Sequence, residues 1–163
     1  MPSSRIRSTN ESLRNWLPVF LWAAVIFVFS TDIFSSANTA GAFEPILQQL
    51  FPQLPIDYID RLHSVVRKLG HFTEYFVLGG LLWRALRYHD AAATRSRRLA
   101  LSIAITMIYA VSDEWHQSLV PSRTASMIDV LIDTLGGICG IWAFKLRSRT
   151  RTSHHRRVNS EKT

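Results

Sequence analysis

Four polar side chains lie at helical spacing in one short stretch of the chain. Lys68, His71 and Tyr75 occupy positions i, i+3 and i+7, and Glu74 lies beside them, so one helix face carries most of the polar groups. The sequence then becomes apolar through residues 76–83. Polar side chains that lead into an apolar helix cost free energy unless they pair with other polar groups or serve a function. This face therefore predicts a shared polar site.

Two later stretches also carry polar or small residues at helical spacing, and each predicts an inward-facing stripe. The stripes consist of Ser102, Thr106, Tyr109, Asp113 and Gln117, and of Ser126, Asp129, Asp133, Gly136 and Gly140. The glycines of the second stripe form a small-xxx-small pattern that allows helices to approach closely.

Four apolar segments predict an all-α, four-helix transmembrane bundle, and nothing in the sequence suggests a strand. The first, residues 16–29, favours a retained span because the small residues that could mark signal-peptide cleavage lie far beyond it. Residues 32–66 predict a loop with one or two short interfacial helices, and a soluble surface helix is the alternative. The remaining segments cover residues 71–86, 99–111 and 126–144.

The positions of the basic residues give this bundle an orientation. Three of them precede the first span, five lie in residues 84–98 and seven follow residue 144. If the N-terminus lies on the cytoplasmic side, 15 of the 19 lysines and arginines are cytoplasmic, as the positive-inside rule predicts. We therefore expect both termini in the cytoplasm. Residues 1–15 would be a disordered basic lead-in, 16–146 the membrane domain and 147–163 a basic tail. A soluble helical bundle is the alternative, because charges interrupt three of the segments.

The net charge of +7 does not indicate nucleic acid, since the sequence has no zinc finger, aromatic-interleaved RNA motif or heptad-backed basic region. The predicted partners are membrane lipids, and no oligomeric state is predicted. The single Cys139 lies in an apolar run and predicts a free, buried thiol.

The four-span arrangement brings the polar groups to one level at the outer face. These residues are Arg67, Lys68, His71, Glu74, Asp113, Glu114, Gln117, Arg123 and Asp129.

Two motifs in this set resemble those of the VanZ-like family. They are Lys68-x-x-His71-x-x-Glu74-Tyr75 and Asp113-Glu114-x-x-Gln117, the latter followed by a proline-containing turn with Arg123 and by Asp129. The resemblance covers roughly residues 16–145. It implies a small multi-pass protein of the bacterial cytoplasmic membrane, and the family takes its name from a member linked to teicoplanin resistance. It also implies a role in the cell envelope, with a lipid-linked component or a glycopeptide as ligand.

The residues support three interpretations and leave open whether the protein is an enzyme. In the first, His71, Glu74, Asp113 and Glu114 provide acid–base chemistry on a lipid or envelope substrate. The ligand would then be held by Lys68, Tyr75, Gln117, Arg123 and Asp129.

In the second interpretation, His71 binds a divalent metal together with Glu74, Asp113, Glu114 or Asp129. No other cofactor is expected. In the third, Lys68 and Arg123 pair with the carboxylates and lock three helices together, which would make this a non-enzymatic structural or interaction protein.

Overall fold

The computed structural model describes residues 9–89, 93–121, 123 and 125–160, and this part of the chain is helical without strands. The elements are α1 (Thr9–Phe29), a short 3-10 helix (Asp32–Phe34), α2 (Ser36–Leu50), α3 (Ile56–His89), α4 (Arg95–Ser118) and α5 (Met127–Ser160). The predicted all-α class is confirmed.

Several helices extend beyond their predicted limits. Helix α1 begins at Thr9, so residues 9–15 are helical and are not a disordered lead-in, whereas residues 1–8 lie outside the described part. Glu11 in the first turn favours this early start because a carboxylate stabilises a helix N-terminus. Helix α5 continues to Ser160 through most of the segment predicted as a separate tail, of which residues 161–163 are not described.

The segment between α1 and α3 contains the predicted short helices. Ser35 caps α2 by accepting a hydrogen bond from the backbone N–H of Asn38 at 3.3 Å. On α3, the imidazole Nε2 of His63 lies 3.0 Å from the Thr39 hydroxyl of α2. The buried His63 therefore joins α2 to the first turns of α3.

Helix α3 is the central element, and α1, α2, α4 and α5 all pack against it. Its 34 residues span about 50 Å and continue through Gly70 without interruption. Tyr75, Leu78 and Leu82 of α3 are buried in the core. The other core residues are Val19 and Ile26 of α1, Ala85 of α3, Ala110 of α4 and Val130 of α5.

Glycines bring the backbones of α3 and α5 into direct contact. A Cβ atom added to Gly136 would collide with the Phe72 backbone, and one added to Gly140 would collide with the Phe76 carbonyl. These contacts advance in the same direction along both helices, so α3 and α5 run parallel. The small-xxx-small pattern predicted this close approach.

Helix α4 has a polar buried face and an apolar exposed face. Its buried residues are Ser102, Thr106, Ala110, Asp113, Glu114 and Gln117. Its exposed large residues include Met107, Ile108, Val111 and Trp115. The buried polar residues confirm the predicted inward-facing stripe of α4. A helix on the surface of a soluble protein has the opposite distribution, with its apolar side chains buried and its polar ones exposed.

Two helical segments of the described chain are long and apolar enough to cross a membrane, Asn10–Phe29 and Met127–Arg147. Cys139 lies in the second and is exposed, so the prediction of a buried thiol is wrong. The residue belongs to the exposed apolar surface of α5.

We expect Gly140→Ala to destabilise the bundle by about 1–3 kcal/mol, because the added methyl group forces two backbones apart. Gly70→Ala is the matched control, since a Cβ there meets nothing within 4 Å. The control should be neutral or more stable by up to about 1 kcal/mol through helix propensity. Thermal unfolding in detergent, followed by tryptophan fluorescence, measures both. Equal melting temperatures would contradict the backbone contact.

Candidate functional site

A cavity of about 170 Å³ lies at the end of the bundle where α1 and α4 finish and α5 starts. Phe29 and Ser30 line it from the end of α1, and Arg123 lines it from the connection between α4 and α5. Helix α3 contributes the longest wall, made of Arg67, Gly70, His71 and Glu74. Three separate parts of the chain therefore form the cavity.

A histidine and two aspartates meet beside this cavity. The Nδ1 atom of His71 lies 3.4 Å from Oδ1 of Asp133 on α5. Asp113 of α4 completes the group, with one nitrogen or oxygen atom from each residue within 4.8 Å of the others. Asp133 is fully buried, and its two oxygens have no hydrogen-bond partner in the described structure.

The Asp113 carboxylate is held by a side chain from the turn after α1 and by one from α4. The Ser30 hydroxyl at the end of α1 donates a hydrogen bond to Oδ1. The Gln117 amide, one turn along α4, donates to Oδ2 at 3.1 Å. Because donors approach both oxygens, the orientation of this carboxylate is fixed.

Arg123 ties the connection between α4 and α5 back to α1. Its guanidinium donates to the carbonyls of Phe29 and Thr31, the latter at 3.0 Å, and to the Gln117 side-chain oxygen at 3.0 Å. Burial lowers the pKa of Arg123 from its ordinary value, and Arg67 lowers that pKa further. The neighbouring carboxylates oppose this, and an arginine keeps its charge in proteins.

The structure distributes the predicted site residues over the cavity and its surroundings. His71, Glu74 and Arg123 line the cavity, and Asp113 and Gln117 form the network behind it. Lys68 and Asp129 lie to one side of the cavity and form an ion pair, with Nζ of Lys68 3.3 Å from Oδ1 of Asp129. The lysine side chain of this pair is about half exposed.

Two predicted residues make other contacts. A carboxylate oxygen of Glu114 accepts a hydrogen bond from the Ser126 backbone N–H just before α5, which favours the start of that helix. Tyr75 is fully buried, and its ring lies 6.2 Å from that of Tyr109. His116 is half-buried, and its ring stacks on that of Phe27 with the two ring centroids 4.7 Å apart.

Three residues of the site were absent from the predicted set of functional residues. Asp133 appeared only as a member of the α5 stripe, although its place in an apolar helix was a usable signal. Arg67 appeared only among the charges at the outer face. Ser30 gave no signal, because a serine at the end of an apolar segment is common.

The arrangement can support two kinds of chemistry. Arg67 and Arg123 place two guanidinium groups on one cavity, which suits an anion such as a phosphate or carboxylate. His71, oriented by Asp133, can accept or donate a proton or bind a metal.

The sequence profile of the VanZ/LLP1 family matches residues 15–148. The chain therefore belongs to the VanZ/LLP1 family, as its two polar motifs predicted. The match includes all the residues of the cavity and of the network behind it. Among curated proteins none matches this chain, and no solved structure matches it either.

We expect Arg123→Ala to lower the free energy of unfolding by about 1.5–3 kcal/mol, because it leaves two backbone carbonyls and Gln117 without their charged donor. Arg123→Lys should recover only part of the loss, since an ammonium group cannot reproduce the planar fork. Lys68→Ala is the comparison. Its exposed ion pair should contribute no more than about 1 kcal/mol. Thermal melts of the three variants test this order, and a larger loss for Lys68→Ala would contradict it.

Proposed function

We propose that this VanZ/LLP1 family protein is a four-span membrane protein of the bacterial cytoplasmic membrane. Its cavity would open at the outer face and recognise the anionic headgroup of a lipid or of a lipid-linked envelope component. The observation that carries the proposal is that Arg67 and Arg123 line the same cavity beside His71.

The surface of the helices supports a membrane location. Helices α1 and α5 each contain a segment long and apolar enough to span. Helix α4 buries its polar residues and exposes its apolar ones, which is favourable when the surrounding solvent is lipid. The parallel course of α3 and α5 agrees with an alternating bundle in which they are the second and fourth spans.

The distribution of charge supports the orientation. Arg84 and Arg87 of α3, Arg98 of α4 and Lys145 of α5 lie towards the end of the bundle away from the cavity. An excess of lysine and arginine at one end favours the cytoplasmic side. The cavity would then face outwards, towards envelope components.

Two cationic groups at one small cavity favour an anionic ligand. Arg67 and Arg123 repel each other, and an anion between them would remove that repulsion. Arg67 has a buried guanidinium nitrogen with no hydrogen-bond partner in the described residues. Such a donor favours an external acceptor, because an unsatisfied buried donor costs free energy.

A structural role is the second candidate, and a specific observation favours it. Arg123 makes three hydrogen bonds within the protein, and Lys68 is paired with Asp129. In this alternative the polar groups act only to join α1, α3, α4 and α5. If the site instead binds a component of the cell envelope, it would be connected to glycopeptide resistance, to which the family resemblance points.

Cysteine labelling tests the topology. In a Cys139→Ser background, we expect Ala125→Cys, on the exposed connection before α5, to react with a membrane-impermeant maleimide added to intact spheroplasts. Ser96→Cys, exposed at the start of α4, should react only after the membrane is permeabilised. The reverse pattern would contradict the orientation, and labelling of both sites from outside would contradict the four-span arrangement.

Native mass spectrometry of the detergent-purified protein tests the ligand. We expect the wild type to retain an anionic lipid and Arg67→Gln to retain at least tenfold less, because one of the two guanidinium groups is lost. Arg61→Gln is the matched control, since Arg61 is exposed on the same helix and outside the cavity.

The two candidate functions give different results in this experiment. If the site is only structural, Arg67→Gln lowers the melting temperature and leaves lipid retention equal to that of Arg61→Gln. If the site binds a headgroup, retention falls while the folded fraction, measured by size-exclusion chromatography, stays the same.

A further inference from the structure

We propose that His71, Asp113 and Asp133 form a binding site for one divalent transition metal of the zinc or manganese type. The site joins α3, α4 and α5 and lies beside the cavity lined by Arg67 and Arg123. The metal site itself depends only on these three side chains. The inference rests on the proposed function in one respect, the identity of the ligand that would occupy the open coordination positions of the metal.

The donor set suits such a metal. One imidazole and two carboxylates give mixed nitrogen and oxygen ligation, which zinc and manganese accept. Three protein ligands leave at least one coordination position for water or for an oxygen of a bound ligand. That position would lie next to His71, which lines the cavity.

The distances are compatible with coordination. Two ligand atoms that are each about 2.0–2.1 Å from a tetrahedral metal lie about 3.3 Å apart. Nδ1 of His71 and Oδ1 of Asp133 are separated by 3.4 Å. Asp113 offers an oxygen within 4.8 Å of both atoms.

The burial of Asp133 provides an independent indication of a cation. This carboxylate is fully buried in α5, and neither oxygen has a hydrogen-bond partner among the described residues. The Nδ1 atom of His71, 3.4 Å from Asp133, is likewise without a hydrogen bond among the described residues. A buried carboxylate without hydrogen bonds is costly unless a cation neutralises it.

The surroundings of Asp113 resemble those of a metal ligand. Ser30 and Gln117 each donate to one of its oxygens and so fix its direction. A carboxylate oxygen that accepts one hydrogen bond retains a lone pair for a metal. Outer groups of this kind orient ligands and raise metal affinity. Because Gln117 also accepts from Arg123, the metal site and the cavity share one network.

Metal titration of the purified full-length chain tests the proposal with Zn²⁺ and Mn²⁺ as the probes. The protein carries Cys139→Ser and a purification tag without histidine, so that these groups cannot bind the metal. The protein is first stripped of metal with a chelator, then titrated with Zn²⁺ or Mn²⁺ and dialysed to remove unbound metal. We then expect one equivalent of the added metal per chain by plasma mass spectrometry. The bound metal should also raise the melting temperature.

Asp133→Asn is the decisive variant, because it keeps the shape of the side chain and removes its charge. We expect it to bind at least tenfold more weakly and to lose the rise in melting temperature. Asp60→Asn is the control, since Asp60 is exposed on α3 and lies outside both the three-residue cluster and the cavity, and it should bind as the wild type does. If Asp133→Asn does not fold, His71→Gln replaces it with the same expectation.

Two results would overturn the metal site. One is the absence of a stoichiometric metal in the wild type, which would assign Asp133 to a simple ion pair with His71. The other is equal affinity in the Asp133 and Asp60 variants. Lipid retention is measured separately on Arg67→Gln, so loss of the metal site with intact retention leaves the proposed function standing. Loss of lipid retention with an intact metal site removes only the proposed function.

Discussion

The close contact between the backbones of α3 and α5 is the constraint on which the rest of the structure depends. Gly136 and Gly140 present no side chain where α5 meets the backbone at Phe72 and Phe76. This contact fixes the register of two parallel helices. One turn before Gly136, the same register places Asp133 opposite His71, which immediately precedes Phe72. A larger residue at either glycine would therefore change the polar site as well as the packing.

A second constraint follows from the apolar exterior. Where the solvent is lipid, burial of apolar groups gives little drive for helix association, so backbone packing and hydrogen bonds between helices must supply it. The structure shows both kinds of contact. Tyr109 of α4 donates to the Ala23 carbonyl of α1 at 2.6 Å, and Trp22 of α1 donates to the Glu74 carbonyl of α3 at 2.8 Å. Polar contacts between helices are thus part of the assembly.

The sequence was sufficient for the helical class, the inward stripe of α4 and the close approach of the glycines, because each is a periodic signal within one segment. The pairing of His71 with Asp133 depends on the register between two helices far apart in sequence, and no spacing within either helix specifies it. The exposure of Cys139 was missed for a related reason. An apolar run shows that a helix is surrounded by apolar groups, but it does not distinguish lipid from a protein core.

The polar groups at this end of the bundle fall into two sets with different consequences. Asp113, Gln117 and the two terminal nitrogens of Arg123 form hydrogen bonds with one another or with the end of α1, so they hold the helices in place. Both oxygens of Asp133, one terminal nitrogen of Arg67 and Nε of Arg123 are buried and have no hydrogen bond within the described residues. A purely structural network gains nothing from such atoms, because each costs free energy. The proposed anion and cation sites rest on these unsatisfied groups of opposite charge and on the hydrogen-bonded frame beside them.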